Sequence, residues 1–268
     1  MSLSPPRADP LPARFPVAGV SASATTYAET TACVIEAART HRSLLVAATS
    51  VHGATLSALD PEFGRQLATF DIVTPDGQPV RWALNLLHRA GLRDRVYGPW
   101  LMLRVCEAAA REGLGVYLYG TSPAALERLL QRLPGLVPGL RIAGFRSPPF
   151  RPTTPEEDAD DVCDILASGA DLLFLGISTP RQERWAYLHR ERLPMPILCV
   201  GAAFDLHAGT VTMAPRWMQD RGLEWLYRVT HEPRRLWRRY ATYPPLYLLL
   251  IARQYLDQRL RGPLARAS

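Results

Sequence analysis

The sequence predicts an α/β fold: a Rossmann-like, mostly parallel sheet with helices on both faces, plus a C-terminal helical appendage. Short, continuous apolar runs such as residues 115–119 (GVYLY) and 171–175 (DLLFL) alternate with longer amphipathic segments. Continuous apolar strands of this kind are typical of a parallel sheet that is covered on both faces. After residue 213 the strand pattern stops and basic, aromatic segments of helical character begin, which predicts the appendage.

The elements follow in chain order from these patterns. Residues 1–15 are rich in proline and polar residues, which predicts disorder, and a short strand follows at 17–20. Further strands are predicted at 43–48, 68–73, 115–119, 141–145, 171–175 and 196–200. Helices are predicted at 27–39, 51–59, 78–89, 99–112, 123–132, 155–168 and 180–192. The core domain therefore covers 16–213 and the appendage 214–268, where Pro233 begins a new helix and 245–260 forms an apolar helix with a polar end.

The chain is expected in a reducing compartment. Its four cysteines lie far apart and have no metal-ligand spacing, which predicts buried thiols; they are Cys33, Cys106, Cys163 and Cys199. The N-terminal segment lacks the pattern of a signal peptide, and no window reaches the roughly 18 apolar residues that span a bilayer. We therefore expect a cytoplasmic protein that is at most peripheral on the inner face of the membrane.

The charge of the chain is asymmetric. The formal net charge is +6, with acids concentrated in residues 151–171 and arginines in 216–239. Like-charge pairs four residues apart, such as Arg234 with Arg238, weaken an isolated helix by about 0.2–0.5 kcal/mol each. Guanidinium groups match phosphate oxygens, and tryptophan beside arginine suits the edge of a membrane. The segment therefore indicates a phosphate-bearing partner, such as a lipid; a solvated basic helix with core tryptophans remains the alternative.

One acid follows a buried strand directly, in residues 74–77 (TPDG). In doubly wound sheets, ligands bind at the carboxyl ends of the strands, so the carboxylate of Asp76 is expected at the ligand edge. A carboxylate in that position can act as a general base toward a hydroxyl. The alternative is an ordinary Asp-Gly turn, and this motif alone leaves both interpretations open.

Two more strand ends carry phosphate-binding or ligand-binding signals. Residues 119–123 (YGTSP) join a strand to a helix through a glycine, hydroxyl residues and a proline. The free N–H groups of such a helix start can hold a phosphate. In residues 176–183 (GISTPRQE), Thr179 is the expected cap, Pro180 the first helical residue, and Gln182 is expected to face the crevice. Well-capped helices without a ligand are the alternative in both cases.

The sequence contains no signal for a metal or an organic cofactor. Its six histidines are scattered without a ligand spacing, so no metal site is expected. Residues 113–115 (GLG) precede their strand, whereas a dinucleotide fingerprint follows one, and a P-loop is missing. We therefore expect no cofactor.

Together, several segments resemble the WecG/TagA/CpsF glycosyltransferases, in unbroken order over about residues 17–240. The last of these segments is long and very specific. The matching segments are 74–84 (TPDGQPVRWAL), 95–102 (RVYGPWLM), 116–129 (VYLYGTSPAALERL), 146–157 (RSPPFRPTTPEE), 171–183 (DLLFLGISTPRQE), 200–209 (VGAAFDLHAG) and 214–240 (APRWMQDRGLEWLYRVTHEPRRLWRRY).

The resemblance implies a bacterial enzyme that transfers a sugar from a UDP-sugar to a polyprenyl-diphosphate-linked saccharide, in exopolysaccharide or cell-wall polymer synthesis. Such enzymes act at the inner face of the membrane, invert the anomeric centre and need no metal. The family's catalytic aspartate falls on Asp76, and the glutamine of its P-K/R-Q-E motif falls on Gln182. Its crevice arginine falls on Arg95. The other expected donor-binding residues are Ser50, Gly120, Thr121 and Asp205, and the arginines expected to meet the lipid diphosphate are Arg228, Arg235 and Arg238.

Two positions depart from the family pattern. Many members have T-x-N-V-H where this chain has residues 48–52 (ATSVH), so Ser50 keeps a hydroxyl but loses the amide. Many also carry aspartate at the position of Trp100. The donor therefore remains open between an N-acetylmannosamine-type sugar and a hexose.

Two other classes of protein fit parts of the sequence. A nicotinamide-dependent oxidoreductase could use a similar sheet, but the missing glycine fingerprint argues against it. An anionic-polymer-binding protein could use the basic tail, but the tail's tryptophans and its following apolar helix favour lipid. We therefore expect no nucleic-acid partner.

Overall fold

The computed structural model describes residues 11–231 and 233–261, except for the side chains of Pro233, Arg235, Arg239 and Arg261. The strands of this part are β1 (Arg14–Val17), β2 (Val20–Ser23), β3 (Leu44–Thr49), β4 (Ile72–Pro75), β5 (Gly115–Gly120), β6 (Arg141–Arg146), β7 (Leu172–Gly176) and β8 (Pro196–Cys199). The helices are α1 (Tyr27–Arg39), α2 (Val51–Leu59), α3 (Pro61–Ala68), α4 (Gln78–His88), α5 (Gly98–Glu112), α6 (Pro123–Leu136), α7 (Pro155–Ala167), α8 (Arg181–His189), α9 (Ala203–Ala208), α10 (Arg216–Asp220), α11 (Glu224–His231) and α12 (Pro233–Arg261).

Six strands form the central sheet, in the order β4-β3-β8-β7-β5-β6. Every neighbouring pair is parallel, so all six carboxyl ends lie at one edge. Hydrophobic clusters cover both faces: α1, α5, α6 and α9 contribute to one, and α2, α3, α4, α7 and α8 contribute to the other. Along β3, Leu44 and Val46 belong to the first cluster and Leu45 and Ala47 to the second, because successive side chains of a strand point to opposite faces. The predicted Rossmann-like fold is confirmed.

A β-hairpin replaces the single strand that was predicted at 17–20. β1 and β2 pair antiparallel, with Val17 opposite Val20, and the turn lies between them. Both turn residues have positive φ, 46° at Ala18 and 95° at Gly19, as a type I′ hairpin turn requires. β1 begins at Arg14, so the prediction of disorder over 1–15 is wrong for its last two residues, while residues 1–10 lie outside the described part.

Helix α3 was not predicted. Its last residue is Ala68, so the strand predicted at 68–73 begins later, as β4 (Ile72–Pro75). The Asp60 carboxylate caps α3 by accepting hydrogen bonds from the backbone nitrogens of Glu62 and Phe63, at 3.1 and 3.0 Å. Pro61 occupies the first turn, where its missing N–H costs nothing. These start signals are present in the sequence, but only three residues separate the short helix from the next strand.

One further helix was missed, and one smaller prediction is wrong. Residues 203–208 form α9, where the sequence analysis predicted no element. Cys163 is exposed on α7, whereas the other three cysteines are buried as expected.

The C-terminal segment is helical, and its last helix contacts the core. α12 begins at Pro233 as predicted, but it continues through Pro244 and Pro245, so residues 245–260 are not a separate helix. The Tyr247 hydroxyl donates to the carbonyl oxygen of Pro79 at 3.1 Å, and the Gln254 amide donates to Pro16 at 2.7 Å. Within the described ranges, no helix is long and apolar enough to cross a membrane.

Candidate active site

Most of the predicted site residues stand at the carboxyl-terminal edge of the sheet. Each belongs to a strand end or to the first turns after one. Ser50 follows β3, Asp76 follows β4, Gly120 and Thr121 end and follow β5, Gln182 lies on α8 after β7, and Asp205 lies on α9 after β8. Ligands of doubly wound sheets bind at this edge, so these residues are grouped where a ligand is expected.

Asp76 is held by backbone contacts on both sides. Its Oδ1 accepts a hydrogen bond from the backbone nitrogen of Gly98 at 2.6 Å. Its own nitrogen donates to the carbonyl oxygens of Thr49 and Thr74, at 3.1 and 3.0 Å. A Cβ at Gly98 would stand 3.1 Å from the carbonyl oxygen of Val200 and 3.4 Å from Oδ1 of Asp76. A glycine therefore allows α5 to begin against the carboxylate.

The surroundings of Asp76 shift the pKa of its carboxyl group toward neutral pH. The pKa of Asp76 is raised to about 6, mainly by burial and to a smaller extent by the negative charge of Glu224. Arg95, the Gly98 N–H and Arg228 act in the opposite direction and lower the pKa. A carboxyl group with a pKa near the working pH can accept a proton and release it again, as general-base catalysis requires.

Arg95 is close enough to Asp76 to lower its pKa, but its side chain is bound by an acid of the C-terminal segment. Its Nη2 donates to Oε2 of Glu224 at 2.7 Å. Its guanidinium lies 4.1 Å from the centre of the Tyr97 ring, and the Tyr97 hydroxyl donates to Oε1 of Glu224 at 2.5 Å. The sequence analysis missed Glu224 and Tyr97, because contacts between residues about 130 positions apart leave no periodic signal.

Gln182 connects two strand ends, but it is fully buried and does not face an open crevice as predicted. Its Oε1 accepts from the backbone nitrogen of Gly201 at 3.1 Å, and its Nε2 donates to Oε1 of Glu183 at 3.0 Å. Thr179 does not cap α8 as predicted: its hydroxyl donates to Oε1 of Glu183 at 2.8 Å. The residue at the cap position is Pro180, and α8 begins one residue later than expected.

Two of the predicted donor-binding residues are in direct contact. The Thr121 hydroxyl donates to Oδ1 of Asp205 at 2.5 Å, which joins the ends of β5 and β8. The backbone nitrogen of Thr121 also donates to the carbonyl oxygen of Gly176 at 3.0 Å. The hydroxyl that caps α6 is that of Ser122, which accepts from the nitrogen of Ala125 at 3.3 Å.

Ser50 stands at the start of α2 next to the Asp76 loop. Its side chain makes no capping hydrogen bond to α2. A Cβ added to Gly77 would come within 3.8 Å of the Ser50 Cα, so the two loops are adjacent. On the next turn, the ring of His52 meets the edge of Tyr243 of α12, with centroids 4.4 Å apart.

The three predicted lipid-facing arginines differ in position. Arg228 on α11 is half-buried and close enough to Asp76 to affect its pKa. Arg238 on α12 is exposed, with its guanidinium 5.5 Å from the centre of the Trp237 ring. The side chain of Arg235 lies outside the described part of the chain. Over the described residues, no group of three or more histidine, cysteine, aspartate or glutamate side chains is placed to hold a metal ion.

Comparisons with known proteins identify relatives of this chain. The model of the glycosyl transferase WecG/TagA/CpsF family matches residues 15–261. A curated protein of Bacillus spizizenii (strain W23) is 28% identical over 187 residues, covering 69% of this chain and 70% of its own. One of Bacillus subtilis (strain 168) is 24% identical over 222 residues, covering 79% of this chain and 84% of its own. Both are named N-acetylglucosaminyldiphosphoundecaprenol N-acetyl-beta-D-mannosaminyltransferase.

Proposed function

The chain belongs to the WecG/TagA/CpsF family of glycosyltransferases, and from this premise we propose that it moves a sugar from a UDP-sugar to a saccharide carried on polyprenyl diphosphate. The transfer inverts the anomeric centre and needs no metal ion. One observation carries the proposal: half-buried Asp76 stands at the strand-end edge, and two cations, Arg95 of the core and Arg228 of α11, are close enough to lower the pKa of its carboxyl group. That arrangement offers a base for a hydroxyl and positive charge for a diphosphate.

The names of the relatives suggest the substrates. Both are named for the transfer of N-acetylmannosamine to N-acetylglucosaminyl diphosphoundecaprenol. By analogy, we take UDP-N-acetylmannosamine as the first candidate donor and a lipid-linked N-acetylglucosamine as the acceptor, in the synthesis of a cell-wall polymer or exopolysaccharide. A UDP-hexose stays the second candidate, because Ser50 and Trp100 depart from the common pattern at two positions.

The proposed reaction is a single displacement. The acceptor hydroxyl attacks the anomeric carbon of the donor, and Asp76 takes its proton as the new C–O bond forms. The bond from the anomeric carbon to UDP breaks at the same time, and the electron pair leaves with the diphosphate. Attack from the face opposite the leaving group inverts the configuration.

The departing diphosphate needs positive charge. Arg95 and Arg228 supply guanidinium groups near the reacting atoms. The N-terminus of α6 also points its free N–H groups and its dipole toward the edge where the strands end. Groups of this kind, already in place before the reaction, stabilise charge that develops in a transition state.

The lipid-linked acceptor places the reaction next to a membrane in this proposal. The surface of α12 carries exposed apolar and basic side chains, a combination typical of helices that lie in the interface. These include Trp237, Arg238, Leu248, Leu249, Leu256 and Leu260. We propose that this surface rests on the inner face of the membrane and brings α11 over the crevice.

The test is a transfer assay with the full-length chain. Synthetic N-acetylglucosaminyl diphospholipid is incubated with UDP-N-acetylmannosamine, UDP-glucose or UDP-galactose, with EDTA present, and the product is analysed by mass spectrometry and NMR. We expect transfer from one donor to give a product of inverted anomeric configuration. Absence of transfer from every UDP-sugar, a strict need for a divalent cation, or a retained configuration would each contradict the proposal.

A further inference from the structure

Glu224, the first residue of α11, connects the C-terminal segment to the core. Its carboxylate accepts one hydrogen bond on each oxygen, from Nη2 of Arg95 at 2.7 Å and from the hydroxyl of Tyr97 at 2.5 Å. The side chains of Arg95 and Glu224 keep only 11% and 14% of their surface exposed. A charge pair with so little solvent is expected to hold its geometry more firmly than a surface ion pair.

The residues that Glu224 contacts belong to a segment tied to the end of β4. The nitrogen of Val96 donates to the carbonyl oxygen of Pro75 at 3.0 Å. The hydroxyl of Thr74 donates to the carbonyl oxygen of Val96 at 3.3 Å, and Gly98 donates to Asp76. The position of Glu224 is therefore linked to that of Asp76 through a short, continuous series of hydrogen bonds.

The guanidinium of Arg95 is held from two directions. The Tyr97 ring lies against it at 4.1 Å, and Glu224 accepts from one of its terminal nitrogens. Tyr97 is itself held at both ends, because its backbone nitrogen donates to the hydroxyl of Tyr27 at 2.9 Å and its own hydroxyl donates to Glu224. Among the described residues, no other hydrogen bond reaches the Arg95 side chain, so its remaining N–H groups can serve a phosphate.

We infer that Glu224 is a positioning residue for the glycosyl transfer: it fastens α11 over the crevice and orients the Arg95 guanidinium between Asp76 and the departing diphosphate. The inference rests on the proposed function. Glu224 acts through Arg95 and Tyr97 and need not touch the substrate. Its charge also acts on Asp76, whose other charged neighbours are Arg95 and Arg228.

The experiment compares Glu224→Gln with Asp257→Asn in the full-length chain. Asp257 is a matched control because it is an exposed acid of the same C-terminal segment, paired with Arg253 only at 3.9 Å. In the transfer assay, Glu224→Gln is expected to lower kcat at least about tenfold, since a misplaced positioning group can cost on the order of 100-fold. KM for the UDP-sugar is expected to change less.

Two readouts separate positioning from a general loss of stability. The acidic limb of kcat/KM should move to lower pH in Glu224→Gln, because removing a nearby negative charge lowers the pKa of Asp76. Hydrogen exchange over residues 224–231 should become faster. Asp257→Asn should match the wild type in both. If Glu224→Gln does not fold, Tyr97→Phe removes one of the two hydrogen bonds but keeps the charge of Glu224. It is therefore expected to make the exchange faster and to leave the acidic limb in place.

The outcomes distinguish this inference from the proposed function. A Glu224→Gln variant with wild-type pH limb and exchange would overturn the inference. So would tighter UDP-sugar binding, which would mean that Glu224 competes with phosphate for Arg95. If the wild-type chain transfers no sugar, the proposed function fails, whereas unchanged exchange in the variant would still overturn the fastening role by itself.

Discussion

The Oδ1 atom of Asp76 lies 2.6 Å from the backbone nitrogen of Gly98, the first residue of α5. The bond places the carboxylate at the positive end of a 15-residue helix, where negative charge is stabilised. Burial has the opposite effect, and it is the larger cause of the raised pKa of about 6. The balance leaves Asp76 ionised at pH 7 but close to its titration range.

Activity should depend on pH through Asp76. A base must be ionised to accept a proton, so kcat/KM is expected to fall about tenfold for each pH unit below about 6. The profile between pH 4.5 and 8, recorded with subsaturating UDP-sugar, measures this limb. A flat profile across pH 6 would show that Asp76 is not the titrating base.

Replacing the Asp76 carboxylate should lower turnover without changing the affinity for UDP. Asp76→Asn keeps the shape and the acceptor for Gly98, but it removes the base, so turnover should fall at least about 100-fold. The affinity for UDP, measured by calorimetry, should stay near the wild-type value. Asp94→Asn, which changes an exposed acid in the loop before Arg95, is the control and should remain active. Near-normal turnover in Asp76→Asn would refute the role.

The same variant should be more stable at neutral pH. Because the pKa of Asp76 is higher in the folded than in the unfolded chain, the folded state binds more protons between about pH 4 and 6, and the free energy of unfolding falls as pH rises there. At pH 7.5 the ionised carboxylate is destabilising, so Asp76→Asn should raise the free energy of unfolding by about 1 to 3 kcal/mol. Urea denaturation should show this gain at pH 7.5 and little of it at pH 4. An equal effect at both pH values would argue against ionisation as its cause.

Arg228 should contribute to the binding of the lipid-linked acceptor. Arg228→Ala removes a charged donor near Asp76, and loss of such a bond to phosphate is expected to raise KM for the acceptor about 10- to 100-fold. UDP-sugar affinity should change little. The acidic limb should move to higher pH, opposite to Glu224→Gln, because Arg228 lowers the pKa of Asp76. Arg253→Ala, at an exposed position of α12, is the control; equal acceptor KM in the two variants would contradict the role.

Gly120 should tolerate no side chain. Its φ is 152°, and a Cβ there would stand 2.6 Å from the backbone of Gly176. Gly139 has φ 82° with nothing within 4 Å, so Gly139→Ala carries only the conformational cost of about 1–2 kcal/mol. Thermal denaturation should show a larger loss in Gly120→Ala, or no folded protein at all. Similar melting temperatures for the two variants would mean that the strands separate easily at this edge.

Local patterns in the sequence account for most of the fold. The strands β3, β5, β7 and β8 are continuous apolar runs, and the helices between them have amphipathic spacing and capping residues. The hairpin and α3 were not predicted, and in both cases the reason lies in the local sequence. Alanine is an unusual first residue for a type I′ turn, so Ala18-Gly19 gave only half of the expected signal. At α3, a short helix stands so close to the next strand that the apolar residues of both merge into one segment.

The sequence by itself determined the parallel sheet and the edge at which Asp76, Thr121 and Gln182 stand, because these depend on spacing along the chain. Its resemblance to known glycosyltransferases indicated the family. Tertiary structure alone decided that Glu224 meets Arg95 across 129 positions and that Arg228 comes close to Asp76. Desolvation and charge pairing depend on which surfaces pack together. The residue type determines which charge a side chain can carry, but the pKa of that side chain depends on neighbours that only folding brings close.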